Sequence, residues 1–181
     1  MVNWMRTNKW AAYLLLVVRV YMGWTWLNAG WHKLTGGFNA EGFLKGAIAK
    51  PIVDKATNEL VYPTFTGFLE HVAMPHVNWI NFMIPLGEFL VGLGLLLGAL
   101  TTAAAFFGLL MNFMFLFAGT VSTNPWMVLI GGIVFLAGAN AGRFGADYYL
   151  LPLLRDLTRK RTPKRKGKNN TLGGMHKPMH A

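Results

Sequence analysis

Cysteine is absent from this 181-residue chain, and the absence closes off several chemistries. No thiolate can serve as nucleophile or redox centre, no iron–sulfur cluster or c-type haem can be held through sulfur, and no disulfide or lipoprotein anchor can form. Electron transfer here would need a bound small molecule or a partner protein. Charge is the second scarcity. Only 13% of the residues are Asp, Glu, Lys or Arg, against about 25% in a soluble domain. Acidic residues are rarer still, seven against 17 Lys and Arg.

Apolar residues are plentiful: 54% of the chain is hydrophobic, gathered into runs of about 20, the length that crosses a bilayer. The expected fold is all-α, a four-helix transmembrane bundle over residues 1–155. The spans are expected at about Trp10 to Trp31, Trp79 to Leu100, Thr102 to Val121 and Pro125 to Asn140. The last is short for about 30 Å of hydrocarbon and should continue through "GRFGADYYLLPLL" as an interfacial segment. The first apolar run is too long for a signal peptide, and "LNAG" is a poor cleavage site, so it reads as an uncleaved span.

Residues 156–181 form a basic tail, expected to be disordered. Nine of the 17 Lys and Arg lie between Arg155 and Lys177. Directly after an apolar bundle, such a tail follows the positive-inside bias and meets anionic lipid rather than nucleic acid. Arg6 and Lys9 precede the first span, so both termini of a multi-pass cell-membrane protein are expected in the cytoplasm.

The outer loop, about residues 33–77, is long for a connector. In "FNAEGFLKGAIAKP", Phe43, Leu44, Ala47 and Ile48 share a helical face, with Asn39 as cap and Pro51 as stop. In "PTFTGFLEHVAMP", Phe65, Phe68, Leu69 and Val72 do the same between two prolines. Two amphipathic helices over the bundle mouth are expected, with a turn or small hairpin in "IVDKATNELVY" between them.

The polar residues inside the spans carry the chemistry. Arg19, Gly23, Trp26, Gly30 and Lys33 repeat at 4-3-4-3 spacing, one stripe of the first helix. Glu88 lies at mid-depth in the second span, sharing a stripe with Asn81, Pro85 and Gly92, and Asn112 lies at similar depth in the third. A central unpaired charge costs about 2.5–3.5 kcal/mol on insertion scales, so Arg19 and Glu88 are expected to pair, with Asn112 completing the network. Two readings stay open: structural glue fixing helix register, or a pocket where Glu88 handles protons and Arg19 steadies an anionic reduced ligand. Trp24 or Trp26, deeper than an interfacial belt requires, could stack on a quinoid ring. His32, His71 and His76 fall on the outer side, badly placed as haem ligands. No metal site is expected. Gly-x-x-x-Gly edges at Gly94/Gly98 and Gly138/Gly142 would permit a homo-oligomer.

"RVYMGWTWLNAGWHKL", "IPLGEFLVGLGLLLGALTTAAA" and "NAGRFGADYYLLP", in that order, resemble the opening helix, second helix and closing segment of the DoxX/DoxD-like membrane proteins. The resemblance covers about residues 10–155. It implies a four-helix membrane bundle linked to quinone-coupled redox chemistry, since DoxD-like members form the small subunit of a thiosulfate:quinone oxidoreductase. Arg19, Trp26, Lys33 and Glu88 fall on the family's motif positions. The expectation is a quinone-interacting oxidoreductase subunit, with Glu88 and Arg19 as acting residues and Trp26, Lys33, His32 and Asn112 around the quinone. No cofactor is expected to be covalently bound, and a redox partner subunit is implied. A non-catalytic assembly protein for such a partner is the alternative, so whether the chain is itself an enzyme stays open.

Overall fold

Asn8 sets the first boundary. Its side chain accepts from the amides of Trp10 at 2.7 Å and Ala11 at 3.4 Å, capping α2 (Lys9–Thr35). Its extended backbone separates α2 from the short α1 (Val2–Thr7). The computed structural model describes residues 1–161. Its remaining helices are α3 (Glu41–Ala49), α4 (Pro63–Phe68), α5 (Val77–Leu97), α6 (Thr101–Phe117), α7 (Asn124–Ala137) and α8 (Asp147–Arg161). A π-helical turn, Leu69–Ala73, extends α4, and a 3-10 turn, Gly138–Gly142, extends α7. Among the described residues there is no strand beyond one isolated antiparallel bridge, Val53 to Leu60, at the expected hairpin.

Three helical stretches are long and apolar enough to cross a membrane: Lys9–Thr35, Val77–Leu97 and Asn124–Gly142. The protein is thus an all-helical membrane protein. The fourth expected span, α6, is apolar but has only 17 residues, about 25 Å at 1.5 Å per residue. The outward faces are apolar, with Trp24, Leu90, Phe107 and Leu129 each more than half exposed, as lipid contact demands.

Small residues bring α2 and α5 together. A Cβ placed on Gly23 would lie 2.7 Å from the Leu96 nitrogen, and one on Gly30 would lie 2.8 Å from the Phe89 Cα. These contacts set the register of an antiparallel pair, since 23 meets 96 and 30 meets 89. The glycine edges expected to serve a homo-oligomer are largely used inside the chain. Gly94 packs on Ala104, Gly98 on Gly145, and Gly142 on Asp147.

The two ends of the bundle differ. At the end bearing the N-terminus, Asp147 accepts from the amides of Leu100 (2.6 Å) and Thr101 (2.9 Å), capping α6. Asn140 ties down α1 by donating to the carbonyls of Met5 and Asn8. At the opposite end, the loop helices form their own small core of Ala40, Leu44, Ala47, Leu69 and Ala73. Asn81 of α5 accepts from the Ala40 amide at 2.7 Å and so positions α3. Here one expected face shifts. Val72 is exposed and Ala73 is buried, because the wide π turn, with Met74 N bonded to Leu69 O, rotates the helix past the i+3 position. α8 carries the helix to Arg161, past the boundary expected at 155, and residues 162–181 of the basic tail lie outside the described residues.

Candidate functional site

The 4-3-4-3 stripe of α2 faces inward as expected, with Arg19, Gly23, Trp26 and Gly30 buried and Lys33 half-buried. Its members do not share one site. The expected Arg19–Glu88 pair does not form. Arg19 donates through Nη1 to the Leu95 carbonyl at 2.6 Å and more weakly to Leu96 at 3.4 Å. Through Nη2 it donates to the Phe144 carbonyl at 3.2 Å. It therefore closes the C-terminal carbonyls of α5, which no further helical turn can satisfy.

The α2–α5 register explains the correction. With Gly23 level with Leu96 and Gly30 level with Phe89, Glu88 is level with residue 31 of α2. Arg19 is about twelve residues away, or about 18 Å along the axis. Lys33 lies half a turn from that level, and its ammonium meets the Glu88 Oε1. The same ammonium stands 5.3 Å from the Phe38 ring centre and 5.6 Å from that of Phe115, within cation–π range.

Around this pair is a cavity of about 400 Å³. α2 contributes Thr25, Trp26, Ala29 and Lys33, α5 contributes Ile84 and Glu88, and α6 contributes Asn112 and Phe115. Phe38 and Phe43 of the loop complete the wall, together with Thr120 and Ser122–Asn124 before and at the start of α7. Four expected site residues, Trp26, Lys33, Glu88 and Asn112, thus converge on one chamber. Arg19 and His32 do not line it. His32 is exposed at the end of α2. His71 and His76 engage the carbonyls of Gly67 and Val72 one turn back, as ordinary interfacial histidines do. Among the described residues no three His, Asp or Glu side chains gather as metal ligands would.

Three wall residues are buried with a polar atom that no protein group satisfies: Trp26 Nε1, Asn112 Nδ2 and Glu88 Oε2. Each residue is at most 4% exposed. An unsatisfied buried polar group costs about 1–3 kcal/mol, and all three belong to residues that line the one cavity. Trp26 and Asn112 offer donors and Glu88 an acceptor. The Lys33–Glu88 pair brings no net charge, with Glu88 enclosed and Lys33 about one-third exposed.

The chain matches the family model described as "TQO small subunit DoxD" over residues 13–165. The chain belongs to the DoxD family. No curated protein and no solved structure matches it at a significant level. The DoxD match spans every chamber-lining residue, from Thr25 to Met127.

Sequence reasoning missed much of this DoxD chamber wall. Phe38, Phe43 and Phe115 are ordinary loop and helix aromatics by pattern. The polar run Thr120 to Asn124 reads only as a turn, although Asn124 is buried and donates to the Thr120 carbonyl at 2.9 Å. The available signal was the density of hydroxyl and amide groups in "TVSTN", richer than a two-helix turn requires.

Proposed function

We propose that this DoxD-family chain is the quinone-binding membrane subunit of an oxidoreductase, and that the chamber around Lys33 and Glu88 receives the quinone headgroup. The reading rests on one observation. Two buried donors and one buried acceptor, none satisfied by protein, belong to residues that line one cavity of about 400 Å³, the kind of sparse polar set in a largely apolar pocket that fixes a small ring with oxygen substituents. The family description, which names the small subunit of TQO, supports the same reading.

The chemistry assigned to each residue follows from its donor inventory. Trp26 Nε1 and Asn112 Nδ2 donate to the quinone oxygens. Glu88, through its second oxygen, accepts from a quinol hydroxyl or returns a proton to the reduced ring. Reducing a quinone to a quinol consumes two electrons and two protons. The electrons are assigned to a redox partner subunit, as the family description of a small subunit supports, and the chamber's part is to handle protons. Protons reach Glu88 through Lys33, which is paired with it and faces the loop end. Arg19 is assigned a structural role. Both termini are assigned to the cytoplasmic side by the basic residues that flank the bundle, which puts the chamber toward the opposite face.

The test is a titration of the purified protein in mild detergent with a soluble benzoquinone, followed by quenching of tryptophan fluorescence. Saturable binding is expected in the wild type, weakened about tenfold by Asn112→Leu, which removes one hydrogen bond and narrows the chamber. Arg19→Lys should bind as the wild type does. Absence of saturable binding in the wild type overturns the proposal. The partner is tested by mild-detergent pulldown. Co-purification of an oxidoreductase whose quinone reduction survives Glu88→Gln unchanged would favour the assembly reading.

A further inference from the structure

A second cavity adjoins the chamber. It has a volume of about 80 Å³ and lies between α3, the α4–π segment, α5 and α6. Its wall is apolar throughout. Leu44, Phe65, Phe68 and Leu69 come from the loop helices and Ile80 and Met111 from the spans, with Ala73 and Ala118 at opposite sides. Phe43, Ile84 and Phe115 line both cavities, so only these three side chains stand between them. Met114, also in its wall, is itself partly exposed on α6, next to the exposed Phe113. A polar chamber, an aromatic and aliphatic shared wall and an apolar space thus follow one another toward the exposed side of α6 at Met114.

We infer that this second cavity is a tail subsite, holding the first isoprenoid unit of a lipid quinone whose headgroup occupies the chamber. The inference rests on the headgroup reading above and specifies its substrate class: a quinone anchored in the membrane by a branched apolar tail, rather than a small soluble one. The shapes support this occupant. An apolar cavity of this kind stays dry and binds apolar groups, and its contact with the chamber sets the tail's first branch beside the ring. The loop helices gain a role as well. The faces that bury Leu44 and Leu69 against the bundle also roof the tail, so the outer loop sets how deep a head may enter and which substituent follows it.

The experiment compares two probes on the full chain in detergent: a methyl-dimethoxybenzoquinone with no tail, and the same head carrying one prenyl unit. In the wild type the prenylated probe should bind at least tenfold more tightly. Ala73→Leu fills the subsite from the loop side and Ala118→Leu fills it from α6. Each should erase the advantage of the prenylated probe while leaving the tail-less affinity within about twofold of wild type. The melting temperature of each variant confirms folding, and either variant alone suffices. Partition of the prenylated probe into micelles is the same for wild type and variants, so the variants separate it from binding. Equal binding of both probes by the wild type, or an advantage that survives a folded filling variant, overturns the tail subsite and leaves the headgroup chamber standing. Loss of both probes in a variant also overturns it, since the cavity would then support the chamber rather than a tail. Failure of both probes to bind the wild type overturns the chamber reading itself.

Discussion

Arg19 and Glu88 are both 1% exposed and both lie in helices long and apolar enough to cross a membrane, yet their surroundings differ in kind. Arg19 sits where chain ends meet. Three carbonyls, Leu95, Leu96 and Phe144, take its guanidinium protons, and Gly98, itself packed on Gly145, closes over it. Only Nε is left over. Glu88 has one oxygen engaged by Lys33 and one without a protein partner, beside a cavity whose wall also includes Trp26 and Asn112, each with a buried donor that no protein group satisfies. Two buried charges of similar insertion cost thus do different things. One is spent on completing a helix terminus, while the other remains chemically addressable. Burial alone does not separate the two charges; unfilled hydrogen-bonding capacity beside a cavity does.

Mutation can break this contrast, and the largest effect belongs to the arginine. Arg19→Met removes the donor to the Phe144 carbonyl and leaves the Leu95 carbonyl only the longer contact from the Gly98 amide at 3.3 Å, and a loss of about 3 kcal/mol is expected, read as a lowered melting temperature in detergent. Protein that remains folded should still bind the benzoquinone. Gly92→Ala strikes the crossing that joins the two regions, since its Cβ would collide with the Leu27 backbone. A cost of about 1–3 kcal/mol should come with weaker ligand binding, because α2 carries both regions. Asp147→Asn weakens the cap on α6 and should cost about 1 kcal/mol with no change in ligand affinity.

Glu88→Gln inverts the pattern. Lys33 keeps access to solvent, so stability should change by less than about 1 kcal/mol, while reduction by the partner enzyme falls at least tenfold. Both a large fall in melting temperature and an unchanged turnover would count against the contrast. His32→Ala, outside the chamber, should alter neither quantity, within about 0.5 kcal/mol.

Much of this contrast can be read from residues in order, and the point where reading stops is instructive. The Arg19-to-Lys33 stripe, the close-packing glycines and the amphipathic character of α3 follow from periodicity, and all appear in the fold. Which cation meets Glu88 does not follow, because periodicity gives a helical face but not the register between two helices. That register is fixed by Gly23 on Leu96 and Gly30 on Phe89, a pairing visible only in three dimensions. The assumption that Arg19 and Glu88 share a depth failed because α2 is 27 residues long. Its polar stripe reaches both ends of the bundle, and the membrane-spanning window alone does not say which end faces α5's carboxylate. The chamber's far wall was hidden for another reason. Turn residues such as Thr123 and Asn124 are selected by turn geometry and by site chemistry alike, and composition does not separate the two.

The shortness of α6 has a consequence for the surrounding lipid. A helix of about 25 Å beside neighbours that match or exceed about 30 Å of hydrocarbon creates a local mismatch. Were α6 to cross the bilayer with them, thinning along that flank would relieve the mismatch and draw headgroups inward past Phe113 and Phe117. A molecule diffusing within the leaflet would then meet its shallowest barrier there, and the short helix would shape an approach lane in the lipid around it.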